Sequence, residues 1–431
     1  MRQLTTINPH GFYFGIETWI YIAVSLLLGL WIPWIDQNIF PGWFSPVDSA
    51  TLLSILAAIA SGMITLSGLV FSLLFVLVQF GTTTYSPRLS RIFAHSFVLR
   101  HSLGIFTGTF LYSLMAMRSV GFQNTGTSGI AIWIAFVWLL LSVGILAGLV
   151  NVFITMTITN TLRSLSNIGR DGIHRIYTSN SRQNADNRNS GKNSLHSELY
   201  SQRVIYTGYP GYVVGYNIER LLKIAQKTDS VLYLPNFIGD AIRNGSELVL
   251  IKCDSAPVPE DIVLHAIQYD ISTGFRNDPR YALRLLVDIA IRALSPAVND
   301  PTTAVQVLDH IEYLLSLLGN SNLDIGEVSD TNGVLRVVFK TPDWKDYLQL
   351  GLVEITHYGA TSIQVQRRLK ALLTDLMRAV PPDRAEVVYS FTGLQTELVQ
   401  QSFEYEPFRQ LASIYDREGI GSGMKVKTDE H

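Results

Sequence analysis

Residues 50–80 read ATLLSILAAIASGMITLSGLVFSLLFVLVQF, 31 positions without a charged side chain. As a helix this stretch runs about 46 Å at 1.5 Å per residue, against roughly 30 Å of bilayer hydrocarbon. It therefore has to tilt, kink or project beyond the interface toward Pro87. Three more apolar stretches share the N-terminal third, at 12–35, 97–120 and 130–158. Each exceeds the ~20 residues that a spanning helix needs. A chain in lipid must satisfy its backbone hydrogen bonds internally, so all four read as helices. Residues 1–160 hold only eight charged side chains: Arg2, Glu17, Asp36, Asp48, Arg88, Arg91, Arg100 and Arg118. So few charges could not cover a soluble surface. The first stretch also lacks the basic start and small-residue cleavage site of a signal peptide.

Across all 431 residues the charged share is 16%, the hydrophobic share 48% and the mean hydropathy +0.23. These averages conceal a shift near residue 160, beyond which charge density rises to that of a soluble domain. The expected fold class is a membrane α-helical unit of four transmembrane helices followed by a cytoplasmic α+β domain. The expected divisions are a four-helix transmembrane domain at 1–160 and a juxtamembrane segment with a flexible linker at 161–200. A small β-rich module at 201–255 and a mainly helical cytoplasmic module at 256–431 complete the chain. A net charge of −2 gives no basic excess, so nucleic acid is not an expected partner. The lone Cys253 excludes an internal disulfide framework and a cysteine-cluster metal site.

Arginine placement sets the expected orientation. Arg88, Arg91 and Arg100 flank the second connection, Arg163, Arg170 and Arg175 follow the fourth stretch, and Arg2 opens the chain. The first connection carries Asp36 and Asp48 without Lys or Arg, and the third carries no charge between Gly121 and Gly129. The positive-inside rule then puts both termini in the cytoplasm and Trp31, Trp34 and Trp43 near the outer interface.

Inside the spans, polar and small residues recur with helical spacing. Ser61, Thr65, Gly68, Ser72 and Gln79 share one face of the second helix, which Ser54 and Ala58 extend. Gly144, Gly148, Asn151, Thr155 and Thr159 share one face of the fourth, and Gly104 and Gly108 form a small-xxx-small pair on the third. Such stripes either pack helices together or line a polar path, for instance around an oligomer axis. No acidic residue lies deep in a span, which argues against a proton- or sodium-coupled pump. Arg118, near the outer end of the third helix, is either an interfacial anchor, an anion-attracting vestibule residue, or a partner for Asp36 or Asp48.

Residues 178–194, TSNSRQNADNRNSGKNS, have a single apolar member and read as a flexible linker. Strands are expected at 203–207, 231–234 and 247–251, with a short helix capped by Asn217 and a turn at Asn244-Gly245. The pattern suggests a small barrel-like sandwich, but no lysine between methionines marks it for biotin or lipoate. A helix is expected over 259–270. Next, Asp278-Pro279 and Asp300-Pro301 each read as an N-cap with proline at the first helical position, giving two helices joined at Ser295-Pro296. Arg284, Asp288 and Arg292 fall at i, i+4 and i+8 on the first of these. They form either a solvated ion-pair face, a partly buried group tied to Asn299 or Asp300, or a ligand site. One more strand is expected at 334–340, with helices at 344–358, 362–379 and 383–397.

The segments ALSPAVNDPTTAVQVLDHI and DPRYALRLLVDIAIR, with SGMITLSGLVFSLLFVLVQFGTTTYSPRL in the membrane part, resemble a bacterial family. It comprises the predicted membrane proteins grouped as domain of unknown function 2254, and the likeness runs from the first span to about residue 380. Ser295, Pro296, Asn299, Asp300 and Pro301 occupy its distinctive corner, with Arg284, Asp288 and Arg292 on the helix before it. The resemblance implies topology and a bacterial inner-membrane setting, and names no activity.

Motifs for enzymatic chemistry are absent: there is no HExxH, P-loop, GxSxG or dinucleotide fingerprint in a fitting context. Asp309, His310 and Glu312 point in different helical directions and make no ready metal site, and Ser295 has no positioned base. The expectation is a non-enzyme without cofactor. Its partners would be the lipid bilayer, copies of itself, and a small ion or a cytoplasmic ligand. Two function classes remain. The first is an oligomeric ion channel or passive transporter, with Ser61, Thr65, Ser72, Gln79, Asn151 and Thr155 along the polar path. The second is a non-conducting sensor or scaffold that docks a partner through the cytoplasmic domain and its Asn-Asp-Pro corner.

Overall fold

The computed structural model describes residues 16–38, 48–80, 97–121, 129–155, 157–178, 200–253, 257–270, 278–419 and 421. The linker expected at 178–194 lies outside them from residue 179. So do Arg88, Arg91, Trp43, the third connection and the side chains of Trp34, Asp36 and Arg100. The chain forms two compact units, Met1–Asn160 and Thr161–His431.

The first unit contains α1 (Ile16–Asn38), α2 (Ser49–Phe80), α3 (Phe97–Gly121) and α4 (Gly129–Thr155). Within α2 and α4, Ser49–Val76 and Ile130–Ile154 are long and apolar enough to cross a bilayer, while the apolar part of α1, Ile16–Trp31, is shorter. Helix α3 packs against each of the other three. Its surface meets protein along most of its length, with Ser102, Ile105, Phe106, Thr109, Tyr112, Ser113 and Ala116 all buried. A helix so enclosed has little contact with surrounding solvent or lipid and tolerates more polar residues than its neighbours. Close approach of α1 and α3 depends on glycine. A Cβ on Gly104 would lie 2.8 Å from the Tyr21 ring and one on Gly108 2.6 Å from Ser25 Oγ.

The second unit begins within α5 (Ile158–Ile173), which ends in a wide turn, His174–Thr178. Two sheets follow. The first, ordered β1-β5-β3-β8-β7, comprises β1 (Gln202–Ile205), β3 (Ser230–Leu234), β5 (Glu247–Cys253), β7 (Glu327–Ser329) and β8 (Leu335–Phe339). The second, ordered β4-β2-β6, comprises β2 (Gly211–Tyr216), β4 (Ala241–Ile242) and β6 (Ile267–Asp270). Helix α6 (Ile218–Lys227) is capped by the Asn217 side chain and packs on β3 and β8. Val204, Val213, Leu221, Leu232, Val249, Ile251, Ile267 and Val337 form the shared core.

Two expectations change here. The module read at 201–255 does not close on itself, because β3 takes β8 as a parallel partner, Leu232 opposite Val337. Parallel pairing needs a long crossover, and the helices between β6 and β7 provide it. The helix read over 259–270 is only α7 (Glu260–Leu264); Ile267–Asp270 instead pairs antiparallel with β2. The buried Ile267 and the free edge of β2 outweigh a short run of helix formers.

The helical layer comprises α8 (Pro279–Ala293), α9 (Pro301–Gly319), α10 (Trp344–Leu348), a wide turn at Gln349–Val353 and α11 (Glu354–Tyr358). It continues with α12 (Ile363–Ala379), α13 (Pro382–Ser402) and α14 (Glu406–Ala412). Helix α9 packs between α8 and α12. Gly169 of α5 meets this layer, where an added Cβ would lie 2.8 Å from Leu314 and 3.1 Å from Ala282.

Candidate functional site

Helix α2 turns its apolar stripe inward and its polar stripe outward. Leu52, Leu56, Ile59, Met63, Ser67 and Val70 are buried against the other helices. Ser61, Thr65, Ser72 and Gln79 are exposed on the opposite side, flanked by exposed Leu69, Phe71, Phe75 and Val76. Around Gly62 and Gly68 there is open space for an added Cβ. On α4, Gly144 likewise faces open space and Asn151 is exposed; the Thr155 side chain lies outside the described residues. The Thr65 hydroxyl donates to the Ser61 carbonyl at 2.9 Å, which lets it sit in an apolar medium without a partner helix. Arg118 is exposed in the last turn of α3.

The polar contacts between these helices use a different set of residues. Thr109 Oγ1 lies 2.9 Å from Ser142 Oγ, Tyr112 Oη donates to the Ala131 carbonyl at 2.9 Å, and Tyr21 Oη lies 3.1 Å from His101 Nδ1. Sequence reading did not single these out. Their signal lies in the 102, 105, 109, 112, 116 spacing on α3, and periodicity alone does not show which helices that face meets.

The corner between α8 and α9 is a chain reversal built from its own polar groups. The Ser295 hydroxyl donates to the Arg292 carbonyl at 2.7 Å, and the Ser295 carbonyl accepts from Val298 N and Asn299 N. Asn299 takes φ +48°, a left-handed conformation that asparagine tolerates better than most residues. Asp300 then donates its N–H to the Ala293 carbonyl at 2.7 Å, while its carboxylate accepts from Thr303 N at 3.0 Å and from the Thr303 hydroxyl. Pro301 starts α9, where its missing N–H costs nothing. Pro296, Ala297, Val298 and Asn299 are exposed on the outside of the turn.

Arg284 and Asp288 pair as their spacing predicts, Nε to Oδ1 at 2.7 Å. The guanidinium also makes a two-pronged contact with Glu354 of α11, 70 residues on, with Nη2 to Oε2 at 2.9 Å. The Glu354 hydrogen bonds, then Asp288, hold Arg284 firmly charged against the opposing effect of burial. Nothing in the local pattern pointed to Glu354. Arg292, one turn further, is half-buried.

Asp309 and Glu312 share a partner despite their different expected directions. Arg368 of α12 donates Nε to Asp309 at 2.7 Å and Nη2 to Glu312. His310 is half-buried, and burial lowers its pKa. Among the described residues no group of three or more His, Cys, Asp or Glu suits a metal ion. A second buried polar cluster joins Tyr177 and Tyr347, whose hydroxyls are 2.7 Å apart. Burial pushes the Tyr177 hydroxyl up to about 12. Nearby Arg280 chelates Asp278, donates to the Ile238 carbonyl and sits 5.5 Å from the Phe237 ring.

Long apolar helices joined to an α+β unit define the class: a membrane protein with a large polar extension. The chain belongs to the family described as predicted membrane protein (DUF2254), whose model matches residues 14–375. Uncharacterised proteins of Mycobacterium bovis and Mycobacterium tuberculosis are each 28% identical to it over 392 residues, covering 88% of this chain and 73% of theirs. No solved structure matches it.

Proposed function

We infer that this chain assembles with copies of itself into a channel or passive transporter for small ions in the bacterial inner membrane. In this reading α1–α4 are four spans, both termini are cytoplasmic, and residues 161–431 tune a pathway that involves no catalysis and no cofactor. The observation that supports it is the sense of α2. Ser61, Thr65, Ser72 and Gln79 face away from their own protomer, interleaved with exposed Ile64, Leu69, Phe71 and Phe75. A row of hydroxyl and amide groups on an outer face suits water or a second protein beyond it, with the flanking apolar residues toward lipid or that protein. Ser61, Thr65, Ser72 and Gln79, with Asn151 and Thr155 of α4, would then line or flank the path, and Arg118 its outer vestibule.

The alternative is a non-conducting sensor or scaffold. It finds support in the apolar Pro296–Val298 edge of the corner, where Val298 is 52% exposed. Reconstitution separates the two. Purified protein in planar bilayers should carry a current that Ser72→Leu and Gln79→Leu reduce by about tenfold, as expected when a polar lining turns apolar. Bilayers that stay as silent as protein-free controls would contradict the channel and leave the scaffold.

A further inference from the structure

Helix α5 starts at Ile158, three residues after α4 ends at Thr155. Its apolar face is already occupied. Leu162, Leu165, Gly169, Gly172 and Ile173 are buried, and Gly169 packs on Leu314 of α9 and Ala282 of α8. The opposite face is polar. Arg163, Asn167 and Arg170 recur at spacings of 4 and 3, which aligns them along one side of the helix. Arg163 and Asn167 are exposed, Arg170 is half-buried, and Arg175 follows, exposed, in the wide turn. Tyr313 of α9, 44% exposed, stands beside Arg170.

The protein neutralises this face only in part. Residues 157–178 hold three arginines and a single acidic residue, Asp171, which pairs with Arg170 at 3.0 Å. Asp309 and Glu312 of the neighbouring α9 are engaged by Arg368. Burial lowers the His310 pKa, Asp309 opposes the shift and Arg163 adds to it, so the Arg163 charge reaches α9. The face is also tethered to an apolar helix. Arg163 comes nine positions after Ile154, where the apolar length of α4 ends. Nine residues cover roughly 32 Å fully extended and about 14 Å as a helix. An amphipathic helix with a vacant apolar face inserts it into the bilayer boundary. The apolar face of α5 is taken by α8 and α9, which leaves charge to hold it to lipid.

We propose that Arg163, Arg170 and Arg175 form a docking site for anionic phospholipid headgroups, which holds α5 to the membrane surface by charge and without insertion. The proposal rests on α4 being a membrane span, and not on conduction. Arginine suits the part, because its planar fork meets two phosphate oxygens at once. Asn167 and Tyr313 supply uncharged donors beside it. Binding of this kind selects anionic over zwitterionic lipid and weakens as salt rises. Because α5 packs on α8 and α9, a grip on α5 is also a grip on the helical layer.

Native mass spectrometry of the full chain, released from detergent micelles with added phosphatidylglycerol or phosphatidylcholine, tests this. The native protein should hold phosphatidylglycerol about tenfold or more tightly than phosphatidylcholine, since each basic residue near an anionic surface is worth roughly fivefold. Arg163→Gln, Arg170→Gln and Arg175→Gln together should bring the two lipids to within about twofold of each other. Removing equal charge from exposed positions elsewhere, by Arg220→Gln, Lys223→Gln and Arg243→Gln, should keep the preference. A native protein without the preference overturns the proposal whatever the variants do. So does a preference that survives the first triple substitution or falls equally in the second. Displacement of phosphatidylglycerol by glycerol phosphate at equal concentration would make the ligand a free phosphate and overturn the lipid assignment. A chain that retains neither lipid would contradict the span, and the site with it, whereas a lack of current in planar bilayers bears on conduction and leaves the site standing.

Discussion

Helices α2 and α3 carry hydroxyl residues at the same helical spacing and put them to opposite uses. On α3 the set Ser102, Thr109 and Ser113 is buried against α1, α2 and α4. On α2 the set Ser61, Thr65 and Ser72 faces outward, and the buried face is aliphatic apart from Ser67. Periodicity shows that polar residues share a face, and it does not show what that face meets. The difference lies in position within the bundle: α3 is central and α2 peripheral.

Glycine substitutions offer the sharpest way to break this comparison. Gly108→Val puts a branched side chain where even a Cβ would lie 2.6 Å from Ser25 Oγ. It should cost about 3 kcal/mol or more and strip much of the protein of its native fold, since overpacking a tight contact shifts backbone. Gly68→Val adds the same group in open space, and protomer stability should stay within about 0.5 kcal/mol. Thermal melts in detergent measure both. If Gly68→Val leaves the melt unchanged and yet dissociates an oligomer on native gels, the outward face is a subunit contact.

The second unit provides a scale for smaller effects. Arg284→Met leaves Asp288 and Glu354 facing each other without their cation. Because Glu354 is half-exposed, the loss should be about 1 to 2 kcal/mol by denaturant unfolding, below that of a fully buried pair. Asp300→Ala removes the cap of α9 and should cost about 1 kcal/mol. If Asp300→Ala also changes the assembly state at unchanged stability, the corner serves a partner as well as the chain. Acid loosens the contact between Asp375 and Arg417 in a defined direction. Bonding to Arg417 holds the Asp375 carboxyl below its usual 3.8. Its contribution is therefore complete above the unfolded value and fades as pH falls through the lower folded one. Amide exchange at 415–419, corrected for intrinsic rate, should be flat from pH 7 to about 4 and rise below that. The smallest effect should come from Ser61→Ala, within about 0.5 kcal/mol on stability, since its side chain is exposed.

Much of this was legible in the residues. Asp278-Pro279 and Asp300-Pro301 marked both helix starts, because the cap and the proline act within four residues. The helix at 383–397, only weakly patterned, extends over Pro382–Ser402 and buries Val388, Phe391, Gln395 and Val399. Less was legible wherever distant segments meet. The β3–β8 pairing, the Arg284–Glu354 contact and the Tyr177–Tyr347 hydroxyl pair join residues 70 to 170 positions apart. The outward sense of α2 was likewise closed to sequence reading, because both faces of that helix suit an apolar medium in composition.

Reaction of single cysteines with a membrane-impermeant thiol reagent, in a Cys253→Ser background and in sealed native vesicles, tests the central claim most directly. The account predicts modification at Ser72→Cys and Gln79→Cys from the aqueous phase, and protection at Ser113→Cys inside the bundle. Full protection at both α2 positions, with the protein intact and folded, would contradict it.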